Sequence, residues 1–354
     1  MLPRSEHSRD SRSSERSGQS DHRVDLTNSA LSVFRECPRK YQYMYEMGRV
    51  RQRTSAALSL GTTVHGALEA WWREGGSLEA AAEWLQQNAS GLEEADACRV
   101  TAMIRHYRPP VNVQPVTGPR VVADPLDMDF ETFTAADHAE TQQAWPEFDV
   151  VAVEHPFHVE IENPRTGRRS QRYTMRGKVD GLLRKKSDGT MWILEHKTTS
   201  EEIRGFGPYW QRLSIDHQIS YYILATGAQG VLYDVLRKPA IRPCRGESFD
   251  EFGQRCIETI GADPERYYQF REIHRTTDDI REAAGDLWQQ AQLLGLAQKQ
   301  QFFPRNSGAC RSIYGLCPFL DVCTGRARID DDSLFRTKTS AHEELEERET
   351  EAAA

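Results

Sequence analysis

The sequence predicts an α/β protein in which helices precede and follow a central group of strands. The order of its apolar segments supports this prediction, because helical patterns come first, then three strand patterns, then a helix and a further strand. A turn signal at Asp188-Gly189 joins two of the strands in one hairpin. The length of 354 residues is enough for one elaborated domain or two small ones with a sizeable core.

Each element follows from its own residue pattern. Apolar residues at helical spacing predict helices over 24–46, 57–73, 78–107, 215–226 and 278–299. Strand patterns occupy 148–161, two runs within 173–197, and the segments 230–236 and 266–274. Several prolines between residues 108 and 122 predict a loop.

Composition divides the chain further. Residues 1–24 are rich in serine, arginine and acidic residues, which predicts a disordered tail. A main domain is expected over 25–300, with a helical insert at about 76–108. Residues 301–326 contain a cluster of cysteines, and residues 327–354 are predicted to form an acidic tail.

The net charge of the chain bears on how it could bind nucleic acid. A formal net charge of −8 argues against a protein that coats nucleic acid by bulk electrostatics. Local basic patches remain, and they comprise Arg165, Arg168, Arg169, Arg172 and the run Arg184-Lys185-Lys186. These patches predict either phosphate contacts or solvated hairpin tips. No apolar run is long enough to span a membrane, and the first residues lack a hydrophobic signal region, so a cytoplasmic protein without a membrane partner is expected.

The central hairpin carries the residues whose side chains most clearly suggest a catalytic site. Asp180 lies on its first strand, and Glu195 and Lys197 lie on its second strand with their side chains on one face. Two converging carboxylates are costly unless a cation neutralises them, and a hard divalent ion does so best. A neighbouring lysine can act as a base toward water or hold a phosphate oxygen. The arrangement suits a metal-dependent phosphodiesterase, and the hairpin alone equally allows a surface Glu–Lys pair.

Two predicted helices add further candidates. His65 lies beside the apolar face of the helix over 57–73, where it can reach a buried metal or serve as an ordinary core histidine. Gln218 and Tyr222 are four residues apart and share one helix face. That face packs on the sheet in either interpretation, whether or not it also touches a substrate.

Five short motifs occur in order along the chain: Gly-Thr-Thr-Val-His65, Glu154-His-Pro-Phe157, Gly177-Lys-Val-Asp180, Leu194-Glu195-His-Lys197 and Gln218-Ile-Ser-Tyr-Tyr222. With these motifs the chain resembles the RecB-like branch of the PD-(D/E)XK nuclease superfamily. It most resembles the CRISPR-associated RecB-like exonucleases and their phage-encoded relatives. The resemblance spans roughly residues 26–323. It implies a restriction-endonuclease-like core, a mixed sheet flanked by helices, with an added helical region.

The resemblance also implies roles for individual residues. His65, Asp180 and Glu195 match the metal ligands of the family, together with the backbone carbonyl of His196. Lys197 matches the catalytic lysine. The helix residues Gln218 and Tyr222 match those that orient the lysine and contact DNA. Glu154 matches an acidic residue on the first core strand.

The cysteines form a second pattern. Cys37 stands early in the chain and Cys310, Cys317 and Cys323 cluster late, in a loop-rich run with little apolar periodicity. This pattern resembles the four-iron, four-sulfur (4Fe-4S) site of the same nuclease branch. A structural zinc also accepts four thiolates, but the close cysteine pairs typical of zinc sites are missing, and no export signal favours disulfides. The remaining cysteines, Cys98, Cys244 and Cys256, are interpreted as independent structural residues.

The resemblance implies a DNA exonuclease that uses Mg²⁺ or Mn²⁺ and carries a 4Fe-4S cluster. Its expected setting is recombination or repair, phage replication or CRISPR adaptation, in a bacterial or phage-infected cell, with DNA and proteins of those processes as partners and with oligomers possible. The imidazole of His65 favours Mn²⁺. No Gly-x-x-x-x-Gly-Lys-[Ser/Thr] loop is present, so a nuclease without its own helicase motor is expected. Two alternatives remain open, an inactive DNA-end-binding subunit and a structural iron–sulfur partner of a larger complex.

Overall fold

The computed structural model describes residues 23–52, 56–109, 148–312 and 315–345. The predicted tail up to residue 22, the predicted loop from residue 110 and the end of the predicted acidic tail lie outside these residues. The strands are β1 (Val24–Leu26), β2 (Arg49–Arg51), β3 (Phe148–Glu162), β4 (Arg169–Lys185), β5 (Met191–Thr199), β6 (Gly230–Arg237), β7 (Tyr268–Ile273), β8 (Arg311–Ser312), β9 (Gly315–Leu316) and β10 (Phe335–Thr337).

The α-helices lie between these strands in the sequence, singly or in groups of two or three. They are α1 (Asn28–Glu36), α2 (Pro38–Tyr41), α3 (Ala56–Arg73), α4 (Leu78–Asn88), α5 (Glu94–Arg105), α6 (Pro208–Gln211), α7 (His217–Thr226), α8 (Phe249–Ala262), α9 (Thr277–Gln300) and α10 (Leu320–Cys323). A π-helical turn over Gln42–Glu46 extends α2.

One six-stranded mixed sheet forms the centre of the described structure. Its main path runs β1-β4-β5-β6-β7, and β3 pairs with the other edge of β4. The β3–β4, β4–β5 and β6–β7 pairs are antiparallel, whereas β1–β4 and β5–β6 are parallel. The fold is therefore a mixed α/β fold with a central mixed sheet, as the sequence predicted.

Helices cover both faces of this sheet. One apolar cluster joins the sheet to α1, α7 and α9, and a second joins it to α3, α4, α5 and α8. At about 25 cal/mol per Å² of buried apolar surface, such clusters dominate the stability of a domain. The sheet is consequently sandwiched between two layers of helices.

Strand β4 has a gap along one edge, and this gap positions the candidate site. Residues 174 and 175 pair with both β1 and β3, and residues 181–184 pair with both β3 and β5. Because a strand has only two edges, β1 and β5 must share the edge opposite β3. Within the described residues, no strand pairing is found on that edge between Met175 and Gly181. Asp180 lies at the end of this gap, where β5 separates from β4.

The structure differs from the prediction in the helix expected over residues 24–46 and in a helix that was not expected. Val24–Leu26 was predicted as part of a helix, but these residues form strand β1, because their backbone pairs with Tyr173, Thr174 and Met175. The remainder of that predicted helix is interrupted at Cys37, whose extended backbone precedes Pro38. Helix α8 was not predicted, although the pair Ser248 and Glu251 forms a capping box at its start.

The C-terminal part of the described chain forms a small separate cluster. Phe335 lies inside the predicted acidic tail, yet it is 1% exposed and packs with Tyr43 and Phe319. Its strand β10 pairs with β2. Residues near both ends of the chain therefore contact each other beside the cysteine cluster.

Candidate functional site

Asp180 and Glu195 meet at the gap between β4 and β5. Continuation of the pairing Gly181 with Leu194 would place these two residues opposite each other, but the described ladder ends one residue earlier. A side chain completes the connection instead, since the backbone N–H of His196 donates to Asp180 Oδ2 over 2.7 Å. The two carboxylates thus lie on adjacent strands at the point where the strands separate.

Glu195 is buried and is held from several sides. Its side chain is 3% exposed. Its Oε1 atom accepts a hydrogen bond from Gln218 Nε2 over 2.9 Å and contacts the ammonium of Lys197. Its Oε2 atom is buried and, among the described residues, has no hydrogen-bond partner. An orphaned carboxylate oxygen of this kind is costly unless a cation or a water binds it.

The charges of the site shift each other's protonation. Burial raises the pKa of Glu195 to about 7; the carboxylate of Asp180 adds to this effect and the Lys197 ammonium opposes it. Burial also opposes the charge of Asp180, but His65, His196 and Lys197 outweigh it and lower the pKa of this carboxyl group. Burial works against the charge of Lys197 as well, yet Glu195 and Asp180 raise its pKa. In this arrangement Lys197 is a cation, so its ammonium balances the two carboxylates.

The ring of His65 approaches Asp180 and also contacts the ring of His196. His65 on α3 places its Nδ1 atom 3.6 Å from Asp180 Oδ2, and its ring lies edge-on to the ring of His196 at 6.1 Å between centroids. The ring of His196 turns away from Glu195 and Lys197, whose side chains contact each other. This is the alternation of faces that the strand predicted.

Glu154 belongs to the same acidic group. It stands on β3 between Val153 and His155, which pair with Gly181 and Val179 of β4, so it lies beside Asp180. Burial and the charge of Asp180 raise the pKa of Glu154, and its carboxylate contacts Lys178. Its backbone has φ of 52°, a left-handed conformation that is unusual for glutamate and costs about 1–3 kcal/mol.

Helix α7 supplies the predicted pair of helix residues. Its start is fixed by Asp216, whose side chain accepts from the Ile219 N–H over 3.2 Å. Gln218 Nε2 then donates both to Glu195 and to the hydroxyl of Tyr222, each over 2.9 Å. The Tyr222 ring packs edge-on against Phe157 of β3. The structure therefore joins Gln218, Tyr222, Glu195 and Lys197 in one contact group.

The chemistry of this site fits a divalent cation. Asp180, Glu195 and the imidazole of His65 are oxygen and nitrogen donors of the kind that Mg²⁺ and Mn²⁺ accept, and Glu195 Oε2 offers an unused buried oxygen. Within the described part of the chain, no three His, Cys, Asp or Glu side chains already converge as a ready-made ion site. In this structure the His196 N–H binds Asp180 Oδ2, and Gln218 and Lys197 bind Glu195 Oε1. A metal ion that used these two oxygens would compete with those contacts.

A buried network behind the site was not predicted from the sequence. Asp234 on β6 is 0% exposed, and its Oδ2 atom lies 2.6 Å from His196 Nδ1. The hydroxyl of Tyr107 donates to the same oxygen over 2.6 Å, and Trp72 Nε1 donates to that hydroxyl over 3.0 Å. The available signal was a single charged residue inside the apolar run Val-Leu-Tyr-Asp234-Val-Leu.

The early and late cysteines share one cavity of about 30 Å³. Cys37, Cys310, Cys317 and Cys323 all contribute to its wall, together with the cationic side chains of Lys40 and Arg305. The Asn306 N–H donates to Cys37 Sγ over 3.4 Å, and burial raises the pKa of the Cys317 thiol. Four thiols around one small cavity fit a metal or cluster with thiolate ligands in donor type.

The other predicted groups lie elsewhere. Cys98, Cys244 and Cys256 are not part of the cysteine cavity, and none of the seven cysteines forms a disulfide. In the basic patches, Arg169 pairs with Glu162 and Lys186 pairs with Asp149. Among the described helices, none is both long enough and apolar enough to cross a membrane.

A family model described as the PD-(D/E)XK nuclease superfamily matches residues 25–324. The chain therefore belongs to this superfamily, whose members are typically metal-dependent nucleases. No curated protein matches the chain. A solved structure described as "Crystal structure of SSO0001" is similar at 17% identity and a TM-score of 0.23. That match covers 38% of this chain and 48% of the other, so the chain spans less than half of that structure's length.

Proposed function

We propose that this chain is a divalent-metal-dependent DNA exonuclease of the RecB-like branch, related to the CRISPR-associated nucleases, and that it carries a 4Fe-4S cluster. The main support is the buried Oε2 atom of Glu195, which has no described hydrogen-bond partner although Asp180, Lys197 and His65 surround the same gap. An orphaned oxygen in an acidic site is the arrangement that a bound cation satisfies.

The proposed cation ligands are His65, Asp180 and Glu195, with the backbone carbonyl of His196. A bound Mg²⁺ or Mn²⁺ supplies Lewis-acid stabilisation of phosphate charge and lowers the pKa of water. Mn²⁺ is the better match because imidazole is a softer ligand than carboxylate. Glu154, on the adjacent strand, supplies further negative charge to the same region.

The remaining site residues act on the substrate. Lys197 contacts Glu195 as a cation, and its ammonium is proposed to hold a phosphate oxygen. Beside a bound divalent cation it would lose its proton more easily, and the neutral amine would then accept a proton from the attacking water. Gln218 holds Glu195 and Tyr222 together, which fixes the side of the site that faces α7. Tyr222 and Gln218 are the proposed DNA contacts.

The cysteine cavity is the proposed cluster site. Its support is that Cys37 and the late cysteines, which are far apart in sequence, line the same small cavity. A cluster with these ligands would tie α2 to the C-terminal segment, where Phe335 and Tyr43 already pack together. The proposed role of the cluster is structural.

The proposed setting is processing of DNA ends in recombination or repair, phage replication or CRISPR adaptation. The proposed substrate is an end or a single strand, because no nucleotide-driven motor motif is present to open a duplex.

Nuclease activity is tested with end-labelled single- and double-stranded DNA and Mn²⁺, using anaerobically purified protein. Asp180→Ala and Lys197→Ala are expected to abolish cleavage, while Asp278→Ala, an exposed residue of α9, retains it. The visible spectrum recorded beforehand should show the broad absorption of thiolate-ligated iron. DNA binding without any metal-dependent cleavage would instead support the inactive end-binding subunit.

A further inference from the structure

A chain of hydrogen bonds runs through the interior on the side of β5 opposite Glu195. Trp72 donates to Tyr107 over 3.0 Å, Tyr107 donates to Asp234 over 2.6 Å, and Asp234 lies 2.6 Å from the ring nitrogen Nδ1 of His196. Each of these residues is at most 3% exposed. The chain of contacts therefore forms away from solvent, and its last member is the residue between Glu195 and Lys197.

Core packing alone gives a poor account of Asp234. The residue interrupts the apolar run of β6, which is buried from Gly230 to Leu236, and its Oδ1 atom has no hydrogen-bond partner among the described residues. Desolvation of a carboxylate costs several kcal/mol. A protein in which well-packed apolar residues replace a buried charged pair is often as stable as the original or more stable. A carboxylate at this position needs a reason other than stability.

The connection to the candidate site supplies that reason. His196 lies between Glu195 and Lys197, and its backbone N–H donates to Asp180 Oδ2 over 2.7 Å. The β4–β5 ladder has already ended at Leu194, so backbone pairing to β4 does not fix this stretch of β5 on that edge. The contact between Asp234 and the imidazole restrains His196 on the opposite edge of β5, which faces β6.

We propose that Asp234 is a positioning residue for the metal site. Through the ring of His196 it adds a side-chain restraint to the β5–β6 backbone pairing, and thereby fixes the distance between the carboxylates of Asp180 and Glu195. Tyr107 and Trp72 complete the arrangement by orienting the Asp234 carboxylate. The inference rests on the proposed function, because it assigns Asp234 to the support of the same metal site.

The inference also gives the helical insert a role. Tyr107 follows the insert helix α5, and Trp72 lies near the end of α3, just before the insert. Both residues touch the ring of His196, with centroid distances of 6.5 Å and 6.0 Å. The insert therefore supports the strand that carries Glu195 and Lys197, in addition to covering the sheet.

The test measures Mn²⁺ binding directly, by the electron paramagnetic resonance signal of free Mn²⁺, without DNA or turnover. Asp234→Asn keeps the shape of the side chain and removes its charge. We expect its Kd for Mn²⁺ to rise by about tenfold or more, the usual range for loss of an outer-shell partner. A wild-type Kd in a folded Asp234→Asn protein would overturn the proposal.

A matched pair of tyrosine variants separates positioning from stability. Tyr107→Phe removes a buried hydroxyl that donates to Asp234, and Tyr268→Phe removes a partly buried hydroxyl that donates to the Met103 carbonyl over 2.6 Å. Both bonds join the insert to the sheet, and the two rings pack together at 6.4 Å. We expect both variants to lower the Tm, but only Tyr107→Phe to weaken Mn²⁺ binding. Equal Mn²⁺ affinities in the two variants would contradict the proposal, and this comparison decides the matter if Asp234→Asn fails to fold.

The same titration distinguishes this inference from the proposed function. If wild type binds Mn²⁺ and Asp180→Ala does not, the proposed metal site stands, and the Asp234 and Tyr107 variants decide the inference alone. If wild type and Asp180→Ala bind Mn²⁺ equally, the proposed metal site is wrong and the inference falls with it.

Discussion

The backbone N–H of His196 donates to the carboxylate of Asp180 across a gap where β4 and β5 no longer pair. This one bond replaces a rung of the sheet with a side chain. It holds Asp180 beside Glu195 while leaving Glu195 Oε2 without a described partner. The separation of two strands thus produces an acidic site without any irregular loop.

Replacement of Lys197 should separate binding from catalysis. Lys197→Met keeps the aliphatic stem and removes the ammonium that contacts Glu195. We expect DNA cleavage to fall by about 100- to 10,000-fold, the range typical of a lost proton-transfer group. Mn²⁺ binding should persist, because a cation that competes for Glu195 is gone. Lys299→Met, near the exposed end of α9, is the control; equal loss of activity in both variants would refute a role for Lys197.

Gln218 should influence cleavage through Glu195. Gln218→Ala removes a hydrogen bond to a buried carboxylate, and such bonds contribute about 1.5–3 kcal/mol. If about 1.4 kcal/mol of this acts in the transition state, the cleavage rate falls about tenfold. Gln211→Ala removes an exposed bond to the Phe206 carbonyl and should leave the rate unchanged. Single-turnover rates of the two variants provide the measurement, and an unchanged rate in Gln218→Ala would count against the assignment.

If the cysteine cavity holds the proposed cluster, replacement of one of its cysteines should remove iron from the protein. Cys317→Ser should lower the iron content and expose the C-terminal segment to proteolysis, because Cys317 also packs on the cluster of Tyr43, Phe319 and Phe335. Cys244→Ser is the control, since Cys244 is exposed and lies outside the cavity wall. Iron analysis with limited proteolysis measures both effects. Zinc in place of iron in anaerobically purified wild type would contradict the iron–sulfur assignment.

Gly177 should be intolerant of any side chain for reasons of packing. A Cβ atom at this position would lie 2.3 Å from Phe157 Cζ, and the Phe157 ring also packs against Tyr222. We expect Gly177→Ala to lower the free energy of unfolding by about 1–3 kcal/mol, as overpacked cores do. Gly207→Ala meets no atom within 4 Å at an ordinary φ of −83°, so its effect should stay within about 0.5 kcal/mol. Denaturant unfolding of both variants tests this, and equal midpoints would show that Phe157 moves aside.

The sequence determined the local elements of this protein. The hairpin turn is where Asp188-Gly189 predicted it, since Gly189 has φ of 77° and Thr190 is held by the Asp188 side chain. The alternation that places Glu195 and Lys197 on one face is likewise a property of a single strand. Such features depend on neighbouring residues, so the residue pattern specifies them.

The tertiary structure decided what depends on distant residues. Val24–Leu26 became a strand because β4 offered a free edge, although its own residues allow a helix. The gap beside Asp180 arises because β1 and β5 share one edge of β4. Asp234 accepts a hydrogen bond from Tyr107, which is 127 residues away in the sequence. Strand pairing and burial between residues far apart in the sequence depend on how the whole chain packs. A local pattern of residues therefore does not predict them.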